Sequence, residues 1–341
     1  LTRTKTLWIR ETYLAQILAG RKTIEVRVGY DNIRRLEPGD RLRLNDRHLA
    51  DVRRVAHYPH FEALLAAEAP DAIAPGVPPD ELLATLRDIY PPEKESLGAV
   101  ALEVAPRRYD AVLFDVGYTL VYFDPPQVEI TQHALRTLGI ERSAKEIRAA
   151  DRAAWSRYYE GAEHLTFPAT EEHNQETQRQ LMQGVLEALG VETDEELVVA
   201  YMEALEVWFS QPGVIRPYPE VEEILAFLRR EAYQLGIVSN WSWDLRDRME
   251  HAGLDGYFEL VWASAYAGCN KPNPLIFEQA LAQMGLEAGR ALYVGDSYPH
   301  DVVGARAAGL DAVLIDRSPD PATCDCPVIH DLRALLPLLN P

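Results

Sequence analysis

Apolar and polar positions along the 341-residue chain follow two different grammars. Up to about residue 106, short β-prone runs lie at 5–10, 22–28, 40–45, 49–58 and 98–105, with helical periodicity only at 11–20 and 79–89. Five short strands and few helices in about a hundred residues predict a small α+β barrel domain, and Pro106-Arg107-Arg108 reads as a linker. From Tyr109 onward strand and helix alternate. Strand patterns at 110–115, 233–240, 258–265, 290–296 and 311–316 are interleaved with helical patterns at 219–231, 243–253, 273–285 and 301–309. That alternation predicts an α/β, Rossmann-like parallel sheet with helices on both faces. Between the first two of these strands lie roughly ninety residues whose period is wholly helical. The helices are expected to start near Pro126, Ser143, Thr170 and Thr193, and Ser143 and Thr193 each have Glu three residues on, the capping-box spacing. An all-helical insertion directly after a strand end predicts a cap over that end. The expected organisation is a first domain at 1–106, a core at 107–122 and 214–341, and a cap at 123–213.

Charge deepens the seam between the two parts. The chain carries a net charge of −19, yet residues 1–106 hold 15 basic and 16 acidic side chains, so almost all the acidity lies downstream. A surface that negative repels phosphate backbones, which argues against nucleic-acid binding by the second part. Residues 1–54 reverse the sign, with 13 basic and 7 acidic side chains. This local excess either faces a polyanion or solvates a small domain. Three cysteines, Cys269, Cys324 and Cys326, do not make a disulfide framework. With no basic-then-apolar leader and no apolar run long enough to span a bilayer, the expectation is a soluble, cytoplasmic protein without a membrane partner.

Polar side chains recur where the core strands end. Ala111-Val-Leu-Phe-Asp115-Val-Gly117-Tyr-Thr119 delivers Asp115 to a strand's carboxyl end, where open α/β sheets place ligands. Leu235-Gly-Ile-Val-Ser239-Asn240 ends in a hydroxyl suited to a phosphoryl oxygen. Lys271-Pro-Asn-Pro follows the third strand and offers a cation. Leu292-Tyr-Val-Gly-Asp296-Ser-Tyr-Pro-His-Asp301 closes the set with two carboxylates five apart. Each has a plain structural alternative: a helix N-cap for Asp115, Ser239 or Asp301, a solvated charge for Lys271. Together they would require four unrelated turns to acquire the right polar type in the right order.

These motifs resemble the haloacid dehalogenase superfamily over essentially all of residues 109–338. The resemblance implies phosphoryl transfer on a small phosphorylated substrate through an aspartyl-phosphate at Asp115, with Thr119, Ser239 and Asn240 positioning groups and Lys271 offsetting charge. It also implies Mg²⁺ held by Asp115, Asp296 and the carbonyl of Gly117, with Asp301 in support directly or through water. The usual first motif is Asp-x-Asp-x-Thr, and Gly117 stands in place of the second aspartate, the general acid and base. Either the substrate has a good leaving group, such as an acyl phosphate or a sugar 1-phosphate, or another acid such as His300 or a cap residue substitutes. Dehalogenation is disfavoured because those relatives dispense with the metal. The remaining alternative is a weak or inactive domain in an RNA- or nucleoside-binding protein. Trp155, Tyr158, Tyr159, His164 and His173 are the candidates for lining the cap side.

Residues 14–40 contain a helix, Gly20, then Lys22-Thr23-Ile-Glu25-Val-Arg27 on a strand, and Pro-Gly39-Asp40. This resembles the ASCH domain, a barrel related to RNA-binding PUA domains, over about residues 5–105. Lys22, Thr23, Glu25, Arg27 and Glu81 are the candidate nucleoside or RNA contacts. Alternation puts Thr23, Glu25 and Arg27 on one strand face, where Glu25 and Arg27 either present a fork to a ligand or pair to hold the register. Some ASCH relatives hydrolyse the amide of acetylated cytidine with a Lys, a Thr and a Glu. Lys22 and Glu81 align with two of these, and Glu25 stands where the threonine is expected. Fusion to a phosphatase points to a nucleotide-related substrate. Cys324, Cys326 and His330 are three of the four ligands a zinc site wants, so the segment reads as a surface loop.

Overall fold

The computed structural model describes residues 3–161, 164–318 and 324–339, which fold as two compact units divided between Asp110 and Ala111. In the first unit five strands form one sheet in the order Thr4–Leu7, Arg41–Leu44, His48–Tyr58, Ala99–Pro106, Ile24–Val28. The first pair is parallel and the others are antiparallel. A register shift between Val52 and Arg54 bends the long strand, which lets the sheet curl. Strand Ala99–Pro106 reads as a nearly unbroken apolar run because both its faces are covered. Val100, Leu102 and Val104 pack with Leu14 and Ile17, while Ala99 and Ala101 pack with Phe61, Leu64, Leu82 and Leu86. The helices Phe61–Ala67 and Pro70–Ile73, which complete the second layer, were not resolved by periodicity. They are one or two turns long, too short to display it.

The segment expected as a linker is tied to the first unit. Arg107 pairs with Asp51 at 2.9 Å, and Asp110 accepts from the Leu49 amide at 2.6 Å and meets His48 Nδ1 at 2.9 Å. These contacts carry the first unit on to Asp110.

The second unit is built on a six-stranded sheet in the order Leu260–Ala263, Gln234–Ser239, Ala111–Phe114, Ala291–Gly295, Asp311–Ile315, Val328–Ile329, with every pair parallel. Ala111–Phe114 is central and buried at every residue, as its apolar run requires. Helices Val221–Arg230, Leu245–His251, Pro274–Met284 and Val303–Ala307 accompany the sheet. The helical insertion comprises Gln127–Thr137, Ala144–Tyr158, Glu171–Ala188 and Glu195–Phe209, packed around Leu135, Ile147, Leu181, Val185, Leu186 and Tyr201. Its two ends are joined by a small antiparallel ladder of Val121–Phe123 with Ile215–Pro217. Ser143 forms the capping box with Glu146. Thr193 does not cap the last helix. Asp194, one residue on, accepts from the Leu197 amide, a carboxylate oxygen being the stronger acceptor at a helix N-terminus. No helix among the described residues is long and apolar enough to cross a membrane.

Candidate active site

Strand Ala111–Phe114 ends at Asp115, whose amide still donates to Val294 across the sheet. The carboxylate is therefore held in register with its neighbouring strand ends. Ser239, closing the next strand, donates from Oγ to Asp115 Oδ1 at 2.8 Å, and Lys271 Nζ donates to the same oxygen at 2.7 Å. Thr119 Oγ1 approaches the other oxygen, Oδ2, at 3.3 Å. Lys271 also donates to Asp301 Oδ1 at 2.6 Å, and Asp301 Oδ2 accepts from the Ser297 amide at 2.9 Å. Asp115, Thr119, Ser239, Lys271 and Asp301 are all buried.

Asn240 does not touch Asp115. Its side chain accepts from the Lys271 amide at 2.7 Å and donates to the Lys271 carbonyl at 3.1 Å, clamping the backbone that carries the cation. Burial alone would pull the ammonium down, but the charges of Asp115 and Asp301 outweigh it and hold Lys271 above the ordinary lysine range.

Asp115, Asp296 and Asp301 bring carboxylate oxygens within 4.8 Å of one another, the one such cluster among the described residues. Asp296 stands at the solvent-facing side. Crowding by protein, then the charges of Asp115 and Asp301, push its carboxyl up to about 8. Lys271 neutralises one of three charges, so an all-oxygen set open to solvent on one side fits a hard divalent cation. Gly295 is required here, because any side chain would overlap the Asp301 carboxylate.

Tyr293 belongs to the same site and escaped the sequence reading. Its hydroxyl donates to the Val238 carbonyl at 2.6 Å and accepts from Lys271 at 3.0 Å. A tyrosine within a fully buried strand was the available signal, since a buried phenol needs a partner. His300 makes no hydrogen bond to Asp115 but lies within electrostatic reach of both Asp115 and Lys271. Its Nδ1 lies 3.3 Å from Ser297 Oγ and its ring packs on Tyr159 at 4.8 Å.

Above Asp115 opens a cleft of about 900 Å³ between strand ends and helical insertion. Trp155 lines it. Tyr158 meets Trp155 edge-on at 5.8 Å and Tyr159 stacks on it at 5.5 Å, both lining an adjoining cavity with His173, Asn240 and Trp241, and Tyr158 accepts from Asn270 at 3.1 Å. His173 stacks on Phe167, and His164 is exposed away from the cleft. Asp151, in helix Ala144–Tyr158, faces the cleft near Tyr201, and burial pushes its carboxyl up to about 6. A carboxyl raised on folding binds its proton more tightly folded than unfolded. Its contribution to stability is therefore highest in acid and falls as pH rises through about 6. Asp151→Asn is expected to stabilise the chain by about 1–2 kcal/mol near pH 8, with the advantage gone below about pH 4. Denaturation midpoints at the two pH values check this.

In the first unit, Lys22 Nζ donates to the carbonyls of Ile24 at 2.7 Å and Ile73 at 2.6 Å and pairs with Glu25 at 3.2 Å, so its three protons are engaged. Glu25 also pairs with Arg27 at 2.9 Å. These three residues line a smaller cleft with Trp8, Tyr13 and Tyr90. Thr23 and the exposed Glu81 do not line it. Cys324 and Cys326 bring their sulfurs to 2.9 Å, while His330 turns its Nδ1 to the Asp316 carbonyl.

Residues 153–315 match the haloacid dehalogenase-like hydrolase family, and residues 7–108 match the ASCH domain. The chain thus carries a haloacid dehalogenase-like hydrolase region, matched over just under half of its length, after an ASCH domain. It is 39% identical over 135 residues to a phosphoserine phosphatase of Thermus thermophilus, which covers 38% of this chain and 54% of the relative. It is 35% identical over 162 residues to haloacid dehalogenase-like hydrolase domain-containing protein 3 of Bos taurus, 47% of this chain and 64% of the relative. The chain thus spans about half to two thirds of these curated relatives. Among solved structures, the HAD-hydrolase YfnB of Bacillus subtilis, bound to magnesium, aligns over 68% of this chain and 99% of its own with a TM-score of 0.55 at 21% identity, a likeness of fold. The family match begins after Asp115, so the first strand's place in the site rests on geometry alone.

Proposed function

We propose that residues 111–339 are a Mg²⁺-dependent phosphatase that hydrolyses a small phosphate monoester through an aspartyl-phosphate on Asp115. The observation that carries this reading is the asymmetric hold on the Asp115 carboxylate. Oδ1 accepts from both Ser239 and Lys271, while Oδ2 has only the long Thr119 contact and remains free to attack. In-line attack by Oδ2 forms the bond to phosphorus as the ester P–O bond breaks. The departing alkoxide takes its proton from solvent, since Gly117 offers none. Water then attacks phosphorus, the acyl-phosphate P–O bond breaks, and inorganic phosphate leaves with Asp115 restored. Lys271 keeps the buried carboxylates paired throughout and Asn240 keeps Lys271 in place. Asp115, Asp296, Asp301 and the Gly117 carbonyl are the residues that would hold Mg²⁺, which supplies positive charge at the phosphoryl oxygens. The helical insertion at 123–213 acts as the cap that walls the cleft opposite the strand ends.

Relatives named as phosphatases and a fold neighbour solved with magnesium support this reading. The expected result is phosphate release from p-nitrophenyl phosphate that EDTA abolishes and excess Mg²⁺ restores. Release that is indifferent to chelation, or absent with Mg²⁺ present, would overturn it.

The ASCH domain is read as a nucleoside or RNA site at the Lys22–Glu25–Arg27 cleft, supported by the half-buried Arg27 guanidinium and the exposed ring of Trp8 beside it. Titration with cytidine and short RNA, followed by fluorescence, tests it. An Arg27→Ala variant that binds as the parent does would remove the cleft from the account.

A further inference from the structure

The cleft over Asp115 is unusual in what its walls lack. Arg248 is the only positively charged side chain among the described residues that line it. All three of its guanidinium nitrogens are engaged, with Nε to Asp244 at 2.5 Å, Nη2 to both Glu206 oxygens at 2.9 and 2.7 Å, and Nη1 to the Phe209 carbonyl at 2.9 Å. Four further lining carboxylates, Asp151, Glu171, Glu203 and Asp247, have no cation partner among the described residues. Asp151 is the inner one and the other three stand at the rim. The wall nearest Asp115 is aromatic. Phe123 meets Tyr118 at 5.7 Å and Phe209 at 5.8 Å, and stacks on Trp241 at 6.5 Å with the ring planes 17° apart. Trp241 Cζ3 lies at van der Waals distance, 3.8 Å, from where the Cβ of a side chain at residue 117 would sit.

This combination has a chemical meaning. Aromatic faces attract a cation through their quadrupole, and carboxylates that lack partners add to the same field inside a cleft with low-dielectric walls. A second phosphate or a carboxylate on the substrate would enter with nothing to pair it. We propose that the leaving group of the phosphate monoester is an alcohol bearing an ammonium group, seated against the Tyr118–Phe123–Phe209–Trp241 wall with Asp151 as its counter-charge. The proposal rests on the phosphatase reading and names its substrate class. It also bears on the missing acid. A positive charge a few bonds from the ester oxygen stabilises the departing alkoxide, offsetting part of what Gly117 cannot supply.

The test compares phosphocholine with 3,3-dimethylbutyl phosphate, which has the same shape without the charge, and with phosphoglycolate, which carries a second anion. With the full chain and Mg²⁺, the KM for phosphocholine is expected to be about tenfold below that of the neutral isostere, with phosphoglycolate poorer than both. Asp151→Asn is expected to bring the first two KM values together. Choline alone should quench the cleft tryptophans Trp155, Trp241 and Trp243 saturably, and 3,3-dimethylbutanol should not. Equal KM values, tighter binding of the neutral or anionic ester, or no saturable choline signal would overturn the proposal. Turnover of p-nitrophenyl phosphate without that discrimination removes only the ammonium site. Choline binding without turnover of any ester removes the phosphatase reading and leaves the ammonium site.

Discussion

Asp115→Asn is expected to lower phosphate release from every ester by at least about 10³-fold, with the fold intact. The amide is nearly isosteric and its oxygen still accepts from Ser239 and Lys271, so the strand end keeps its geometry. What it loses is the anionic oxygen that forms the bond to phosphorus. Stability should be held or slightly raised. Lys271 retains its 2.6 Å pair with Asp301, and one of three crowded carboxylates is gone. Phosphate release and a thermal melt on the same preparation check both halves. A variant that turns over normally would place the attacking group elsewhere, and one that fails to melt cooperatively would mark Asp115 as structural.

Gly117→Asp should act in the opposite direction. A carboxyl at this position restores the proton donor that the resemblance expects, a contribution of about 10²–10⁴ in kcat for alkyl phosphates. The structure has room for it. A Cβ at residue 117 meets only Trp241 Cζ3, at an ordinary 3.8 Å, and the backbone there is not in the left-handed region. p-Nitrophenolate leaves without a proton, so its ester should gain only from activation of the hydrolytic water, a step that both esters share. The ratio of alkyl to aryl turnover is therefore the informative measurement. An unchanged ratio would mean that leaving-group protonation does not limit the reaction.

Much of the site was legible because of where its residues sit. Asp115 and Asp296 follow directly on an apolar strand, Ser239 closes one, and Lys271 comes shortly after a fourth, past the one-turn helix Ser264–Ala267; parallel topology collects these strand ends on one edge of a sheet. Asn240 was placed in the same group by its position, and only the structure shows its side chain turning to the Lys271 backbone. Tyr293 went unseen because it occupies a strand position that reads as core, and only the packing of three neighbouring strands brings its hydroxyl to Lys271. Thr193 lost its capping role to Asp194 by a single residue, the usual margin at a helix end. On the cap side Trp155, Tyr158, Tyr159 and His173 do line a cavity with Asn240 and Trp241, while His164 does not. A helix face is visible in the period of the sequence, but which of its aromatic side chains meets a cleft depends on the crossing of helices far apart in the chain.

By itself the sequence determined the two-part organisation, the parallel α/β core with an all-helical insertion, and the strand-end groups that meet at Asp115. Those features depend on local periodicity and on connection order, both of which are written along the chain. Only the tertiary structure decided which Asp115 oxygen is free, that Lys271 bridges Asp115 and Asp301, and that the cleft is aromatic and without a free cation. These depend on distances of a few ångströms between residues up to 156 positions apart, and such distances are set by packing.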